Sequence, residues 1–408
     1  MIQNPSKLSE RIIQSLTAHN STQSWEELIG RLLGRLELPK DVRADAEAAY
    51  ERLGHQIATK LQLEYTDVQV YSQGSMRTLT TIRPRSNEKF DLDIVVELPD
   101  YLYKQNPDPE VMFKDFGQAL KGNESVTGSP EEKRRCWRLR YPGKSFYFDV
   151  TPAIPDPFRV TGASLRVRDP DTRWSPTNPK DYAEWFCEHA NKRFTFQRLA
   201  IDEIYKAEAH IEPLPNETIG LDDILRRAIQ LMKLHRTNIY WNADERHKEV
   251  QPISIIIVTL ATRAFEHLYN TRHNSFTSAI EVVLAVVEDM PNYIVKRDEK
   301  YIIANPTLPT ENFADRWNSD EGLRSREFKQ WHKRLEEDLE ALLLGEVKSA
   351  DEDRIRSVFG NDGVEAWKER IKAEKEEVPR GILRGLLAVD STLNLNTVVP
   401  SGSKGTLG

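Results

Sequence analysis

The chain is predicted to be an α+β protein, with a mixed β-sheet in its first half and a helical second half. Three observations predict this. The first sixty residues place apolar side chains at helical spacing, the period falls to two over about 66–168, and beyond a Pro-rich connector the helical period returns. With 408 residues the chain has room for two or three domains, each with a sizeable core.

The elements follow in order. In "PKDVRADAEAAYERLGHQIATKLQL", Val42, Ala46, Ala49, Leu53, Ile57 and Leu61 recur on one helix face, so a long packing spine is expected. "TDVQVYSQ" then alternates, and "FDLDIVVEL", "CWRLRY", "KSFYFDVTPAI" and "SLRVR" read as strands bounded by turn residues. "DPEVMFKDFGQALKG" supplies a helix between them. After "RDPDTRWSPTNPKDYAEWFCEHA" the chain is expected to be helical throughout, with "GLDDILRRAIQLMKLHRTNIYW", "PISIIIVTLATRAFEHL" and charged helices over about 324–375. "DSTLNLNTVVPSGSKGTLG" has no periodicity and reads as a tail. The expected division is 1–190, 191–385 and a tail over 386–408.

Composition excludes several function classes. Charged residues are 30% and hydrophobic ones 39%, an ordinary globular mixture. No run of about 18 apolar residues is present and the N-terminus lacks the apolar core of a secretory signal, so no membrane partner and a cytoplasmic location are expected. Cys136 and Cys187 cannot form a disulfide framework or a Cys-rich zinc site. A net charge of −7 argues against coating a nucleic-acid duplex, so no obligate nucleic-acid partner is expected.

The chemistry concentrates in "YSQGSMRTLTTIRPRSNEKFDLDIVVEL". On a strand alternate residues share a face, so Asp91 and Asp93 point to one volume while Phe90, Leu92 and Ile94 point to the core. Two neighbouring carboxylates repel and are costly to bury, which calls for a divalent cation with oxygen ligands, magnesium first, with manganese as the alternative ion. In "KSFYFDVTP", Asp149 shares a face with Ser145 and Tyr147 and can join the pair across the sheet. Three aspartates suit two metal ions and in-line displacement at phosphorus. Gly74-Ser75 ends a strand and opens a helix, where free N–H groups and a hydroxyl favour a phosphate. The combination points to a nucleoside triphosphate with magnesium. Gln73 and Arg77 flank the turn and are candidates for contact with phosphate or base.

"QGSMRTLTTIRP…FDLDIVVEL…FYFDVTPAIP" resembles the signature of the nucleotidyltransferase superfamily, in the form of the cGAS/DncV-like nucleotidyltransferases of bacterial anti-phage systems. The likeness extends over about residues 30–270, through "RWSPTNPKDYAEWF", "LRRAIQLMKLHR" and "KEVQPISIIIVTLAT". It implies a two-lobed fold with the active site in the cleft between a sheet lobe and a helical lobe. It also implies that Gly74 and Ser75 hold the donor triphosphate, that Asp91, Asp93 and Asp149 bind two magnesium ions, and that Lys233 and Ser254 meet the terminal phosphates. The residues allow the last two roles: Lys233 lies opposite the apolar face of its helix with Arg226, Gln230 and Thr237, and Ser254 follows Pro252 in a first helical turn. His235 is expected to satisfy a hydrogen bond rather than bind metal, and Tyr240 and Trp241 to be buried between lobes.

The resemblance implies a synthase that joins nucleoside triphosphates into a cyclic di- or trinucleotide messenger, releasing pyrophosphate, with an effector reached through that product. A template-free RNA terminal transferase or protein nucleotidyltransferase is the alternative within catalysis, and an idle ligand-sensing scaffold the alternative outside it. The ending "SGSKGTLG" resembles termini that a ubiquitin-like (E1/E2-like) transfer system conjugates, which would act on Gly408.

Overall fold

The computed structural model describes residues 7–85, 88–99, 102, 108–122, 129–158, 162–197 and 223–390, the last seventeen of these by backbone alone. The expected tail beyond residue 390, with Gly408, lies outside the described residues; 386–390 still belong to a helix.

Three helices open the chain: α1 (Leu8–Ala18), α2 (Thr22–Arg35) and the spine α3 (Lys40–Leu61). A seven-stranded mixed sheet follows, with spatial order β1 (Gln69–Ser72), β2 (Phe90–Glu97), β5 (Phe146–Pro155), β4 (Trp137–Arg140), β3 (Glu131–Glu132). β6 (Leu165–Asp169) pairs with the end of β5 and carries β7 (Arg173–Thr177). The pairing of β2 with β5 is parallel; the other pairings are antiparallel. The short helix α4 (Gly74–Thr78) caps β1, and α5 (Pro109–Ala119) starts at Asp108, whose carboxylate accepts from the Glu110 N–H at 2.8 Å.

Ala46, Ala49, Leu53 and Ile57 of α3 bury against Leu92, Ile94, Phe146, Phe148 and Val150, so the spine face read from the sequence is the face that covers the sheet. The opposite face of β2 and β5 is left for polar side chains. A second core joins α6 (Pro179–Ala190), α7 (Ile224–Tyr240), α9 (Ser254–Arg272), α10 (Ala279–Asp289), α11 (Leu323–Leu343) and α12 (Glu352–Asp390); α8 (Glu245–Val250) lies beside it. None of these helices is long and apolar enough to cross a membrane.

Four features differ from expectation. The buried apolar side chains of α1 and α2, from Leu8 to Leu33, and Leu36 just after them lie in the helical core, so the division of cores does not follow the expected cut at residue 190. Trp25 is fully buried there and donates to the Gly345 carbonyl at 2.8 Å. The sheet runs to Thr177 rather than ending near 168, because β7 is an edge strand and so tolerates Pro176. The second half is not wholly helical: β8 (Val295–Arg297) pairs with β9 (Lys300–Ile302), and β10 (Ala304–Asn305) with β11 (Leu308–Asn312). β8, β9 and β10 have only two or three residues each, and β11 buries Leu308 alone, so no alternation of apolar and polar residues registers. Finally, α7 is buried on every side over residues 224–235, because its polar face packs on the sheet lobe instead of meeting solvent. The backbone of α12 breaks at Gly360, at φ 70°, where a Cβ would come within 2.6 Å of the Arg85 guanidinium.

Candidate active site

Asp91 and Asp93 stand on the polar face of β2, and parallel register places Asp93 beside Asp149 of β5 and Asp91 beside Tyr147. The antiparallel register of β4 then sets Arg138 against Asp149 and Arg140 against Tyr147. Two rows thus cross three strands: Arg138, Asp149, Asp93 and Arg140, Tyr147, Asp91. One carboxylate oxygen from each aspartate lies within 4.8 Å of the others. The convergence expected from the sequence is therefore present.

Asp149 is 9% exposed, and the Arg138 guanidinium closes on it with two hydrogen bonds, Nε to Oδ1 at 2.8 Å and Nη2 to Oδ2 at 2.7 Å. The same guanidinium lies 4.2 Å from the Tyr147 ring centroid and 4.0 Å from Asp91. Burial, then Asp91 and Asp149, push the Asp93 carboxyl up to about 8, against the pull of Lys233 and Arg138. Desolvation and Asp149 also raise Asp91, opposed by Arg138 and a hydrogen bond from Tyr147. The cluster thus carries more negative charge than its neighbours neutralise. Its all-oxygen donors are spaced as the ligands of one hard divalent cation are, at about 2.0–2.6 Å from the ion, so the residues present fit such an ion.

The Gly-Ser turn is built against this cluster. The Gln73 N–H donates to the Asp93 carbonyl at 2.9 Å, and Gly74 follows at φ 58°. A Cβ at Gly74 would sit 2.6 Å from Asp93 Oδ2, so glycine is required both by backbone and by space. The Thr80 N–H donates to the Ser75 carbonyl at 3.0 Å, and the Thr81 hydroxyl to Ser75 Oγ at 3.2 Å, which hold the turn closed.

Helix α7 ties that turn to the helical core. Arg226 Nε donates to the Thr78 carbonyl at 2.8 Å, Gln230 Nε2 to that of Thr81 at 3.3 Å, and Lys233 Nζ to that of Thr80 at 2.8 Å. The spacing i, i+4, i+7 puts all three on one helix face. Burial first, then Arg236, lower Lys233 to about 7, while Asp93 opposes the shift. Ser254, the first residue of α9, accepts from Arg236 Nη1 at 3.0 Å. Burial lowers Arg236 to about 10.

A cleft of about 970 Å³ opens between the lobes, lined among others by Gln73, Gly74, Ser75, Asp91, Asp93, Lys233 and Ser254. Arg77 does not join them. In α4 the cleft is lined by Gly74, Ser75 and Thr78, whereas Arg77, about 200° around the helix from Ser75, is exposed and acts electrostatically on Tyr50 and Tyr71. His235 is buried, with Nε2 3.1 Å from Asp338, as a hydrogen-bonded histidine should be. Tyr240 is buried and donates to Glu327 at 2.6 Å; Trp241 sits under Arg85, 5.3 Å away.

Sequence reasoning missed Arg138, Arg236 and the part played by Tyr147. The alternation in "CWRLRY" puts Arg138 on a strand face, but only the β4–β5 register shows which carboxylate it meets. Gly74→Ala is expected to destabilise the protein by about 1–3 kcal/mol, from left-handed backbone and the clash with Asp93. Denaturant midpoints measure this, and an unchanged midpoint would contradict the turn geometry.

Residues 25–190 match the family described as the Second Messenger Oligonucleotide or Dinucleotide Synthetase domain. The chain is 26% identical over 386 residues to a c-di-GMP synthase of Roseivirga ehrenbergii, covering 91% of this chain and 94% of the relative. It is 24% identical to the cyclic dinucleotide synthase CdnG of Bradyrhizobium diazoefficiens, over 88% of this chain and 87% of that one. Among solved structures, that CD-NTase, CdnG in complex with GTP, superposes with a TM-score of 0.62 at 21% identity, over 86% of this chain and 99% of its own. CdnC of E. coli MS115-1 superposes with a TM-score of 0.54 at 13% identity, over 83% and 98%. Signature, sheet topology and these likenesses agree: residues 25–190 form a Second Messenger Oligonucleotide or Dinucleotide Synthetase domain, and over most of its length the chain is similar to cyclic dinucleotide synthases and shares the fold of the CD-NTase CdnG.

Proposed function

We propose that this protein is a metal-dependent synthase that joins nucleoside triphosphates into a cyclic dinucleotide messenger, with GTP as its first substrate. The observation that carries the proposal is the convergence of Asp91, Asp93 and Asp149 beside the Gly74 bend. The likeness over about nine-tenths of two relatives named for c-di-GMP and cyclic dinucleotide synthesis supports the product class. So does the cleft, which at about 970 Å³ reaches the upper end of the roughly 300–1,000 Å³ typical of small-molecule sites.

In each transfer a ribose hydroxyl oxygen forms a bond to an α-phosphorus, the bond from that phosphorus to its bridging oxygen breaks, and pyrophosphate leaves with the electron pair. Asp91, Asp93 and Asp149 would hold two divalent cations, which supply neutralisation of the leaving group and acidify the attacking hydroxyl. Ser75 and the N–H groups at the Gly74 bend face the donor phosphates. Lys233 and Ser254 approach the terminal phosphates from the helical side, Lys233 exchanging its bond to the Thr80 carbonyl for one to phosphate oxygen. Gln73, on the cleft wall, lies within reach of the same nucleotide. Asp149 takes the acceptor side, where it aligns the attacking hydroxyl and helps draw off its proton.

Incubation with four labelled nucleotides and magnesium, nuclease digestion and mass analysis test the proposal. A nuclease-resistant cyclic product is expected from the wild type and none from an Asp91→Ala, Asp93→Ala double variant. Extension that depends on added RNA would contradict it.

The raised Asp93 carboxyl gives a pH dependence. Below about 8 it is protonated in the folded protein, so a cation must displace that proton, and apparent metal affinity falls as pH falls. Thermal stabilisation by Mg²⁺ is therefore expected to grow from pH 6 to about 8 and level off above. Asp93→Asn should flatten the profile; a wild-type profile already flat would contradict the assignment.

A further inference from the structure

We propose that Arg138 is a positioning residue that takes the place of one divalent cation at Asp149 until a nucleoside triphosphate arrives. This rests on the metal-dependent reading of the site and adds an order to its loading.

Arg138 faces Asp149 directly across the β4–β5 ladder, and its fork engages both carboxylate oxygens at 2.8 and 2.7 Å. It cannot swing freely, because it packs on the Tyr147 ring at 4.2 Å, and Tyr147 in turn hydrogen-bonds Asp91. From this position it also reaches within 4.0 Å of Asp91. A guanidinium touching two of three metal-ligand carboxylates does electrostatically what a cation would do: it offsets their repulsion and orients their oxygens.

Charge counting turns this into a limit. Once a cation has displaced the proton on Asp93, the three carboxylates carry −3 and Arg138 +1, which leaves −2 to be balanced by that one divalent cation. A second divalent ion would leave an excess of +2 in a partly desolvated site. Lys233, the other cation acting on Asp93, only adds to that excess. Arg140, the remaining arginine on this face, is committed to Glu131 at 2.6 Å. A triphosphate brings about four negative charges, which removes the excess and leaves Asp149 free to share an oxygen with the second ion while Arg138 keeps the other. Arg138 thus couples entry of the second metal to entry of the nucleotide, and keeps Asp149 aimed in the meantime.

Titration of nucleotide-free protein with Mn²⁺ alone, followed by electron paramagnetic resonance, tests this. The wild type is expected to bind one Mn²⁺ per chain, and a second only with a non-hydrolysable GTP analogue. Arg138→Met should bind Mn²⁺ alone at least about tenfold more tightly, since a unit positive charge a few ångströms from the ion is removed. Arg138→Gln keeps hydrogen-bond donors without charge and should show the same tightening, which serves if the Met variant does not fold. Arg138→Lys keeps the charge and should stay near the wild type. If the wild type binds Mn²⁺ and the neutral variants give superimposable isotherms, the inference is overturned and the metal-dependent reading stands. If neither wild type nor neutral variants bind Mn²⁺, both are overturned.

Discussion

Parallel pairing of β2 with β5 is the constraint on which the site depends. It brings Asp93 into register with Asp149 and, two residues earlier, Asp91 with Tyr147, so that three carboxylates meet on one face of a sheet. Left alone, such a cluster would drive the strands apart or take up protons. It persists because Leu92, Ile94, Phe148 and Val150 are buried on the other face under α3, and because Arg138 on β4 completes the row. Apolar burial beneath and a guanidinium beside together hold negative charge where a cation can use it.

The same economy shapes the boundary between the lobes. Arg226, Gln230 and Lys233 of α7 spend their donors on carbonyls of Thr78, Thr81 and Thr80, the segment that immediately follows the Gly-Ser turn. Buried polar side chains are tolerated there because each finds a backbone acceptor. The turn is consequently positioned by both cores: from the sheet side through Asp93, and from the helical side through α7. Arg85 and Asn238 bond across the lobes as well, next to the break in α12 that Gly360 permits. The two sides of the cleft are thus tied together by hydrogen bonds from Arg226, Gln230, Lys233 and Arg85.

Much of this was legible in the sequence, and the reasons are particular. "FDLDIVVEL" and "FYFDVTP" each separate core from polar face by alternation, which suffices to aim Asp91, Asp93 and Asp149 at one volume. The α3 pattern named the face that covers the sheet. What escaped depended on partners distant in sequence. Arg138 needed the β4–β5 register, and Arg236 needed the approach of α9 to α7 to meet Ser254. Arg77 falls outside the cleft lining because proximity to Gly-Ser says nothing of helix phase. The α1–α2 segment joined the helical core because amphipathic helices announce a buried face but not what buries it. The hairpins over 295–312 lie largely at the surface and carry no apolar–polar alternation to show a period.

The central claim is that Asp91, Asp93 and Asp149 act as one ligand set rather than as neighbours. Anomalous diffraction from crystals grown with Mn²⁺ and a non-hydrolysable GTP analogue tests it most directly. The account predicts two manganese peaks, at least one bridged by oxygens of all three aspartates, with the triphosphate lying over the Gly74 bend. Manganese bound by Asp91 and Asp93 alone, with Asp149 still clasped at both oxygens by Arg138, would contradict it.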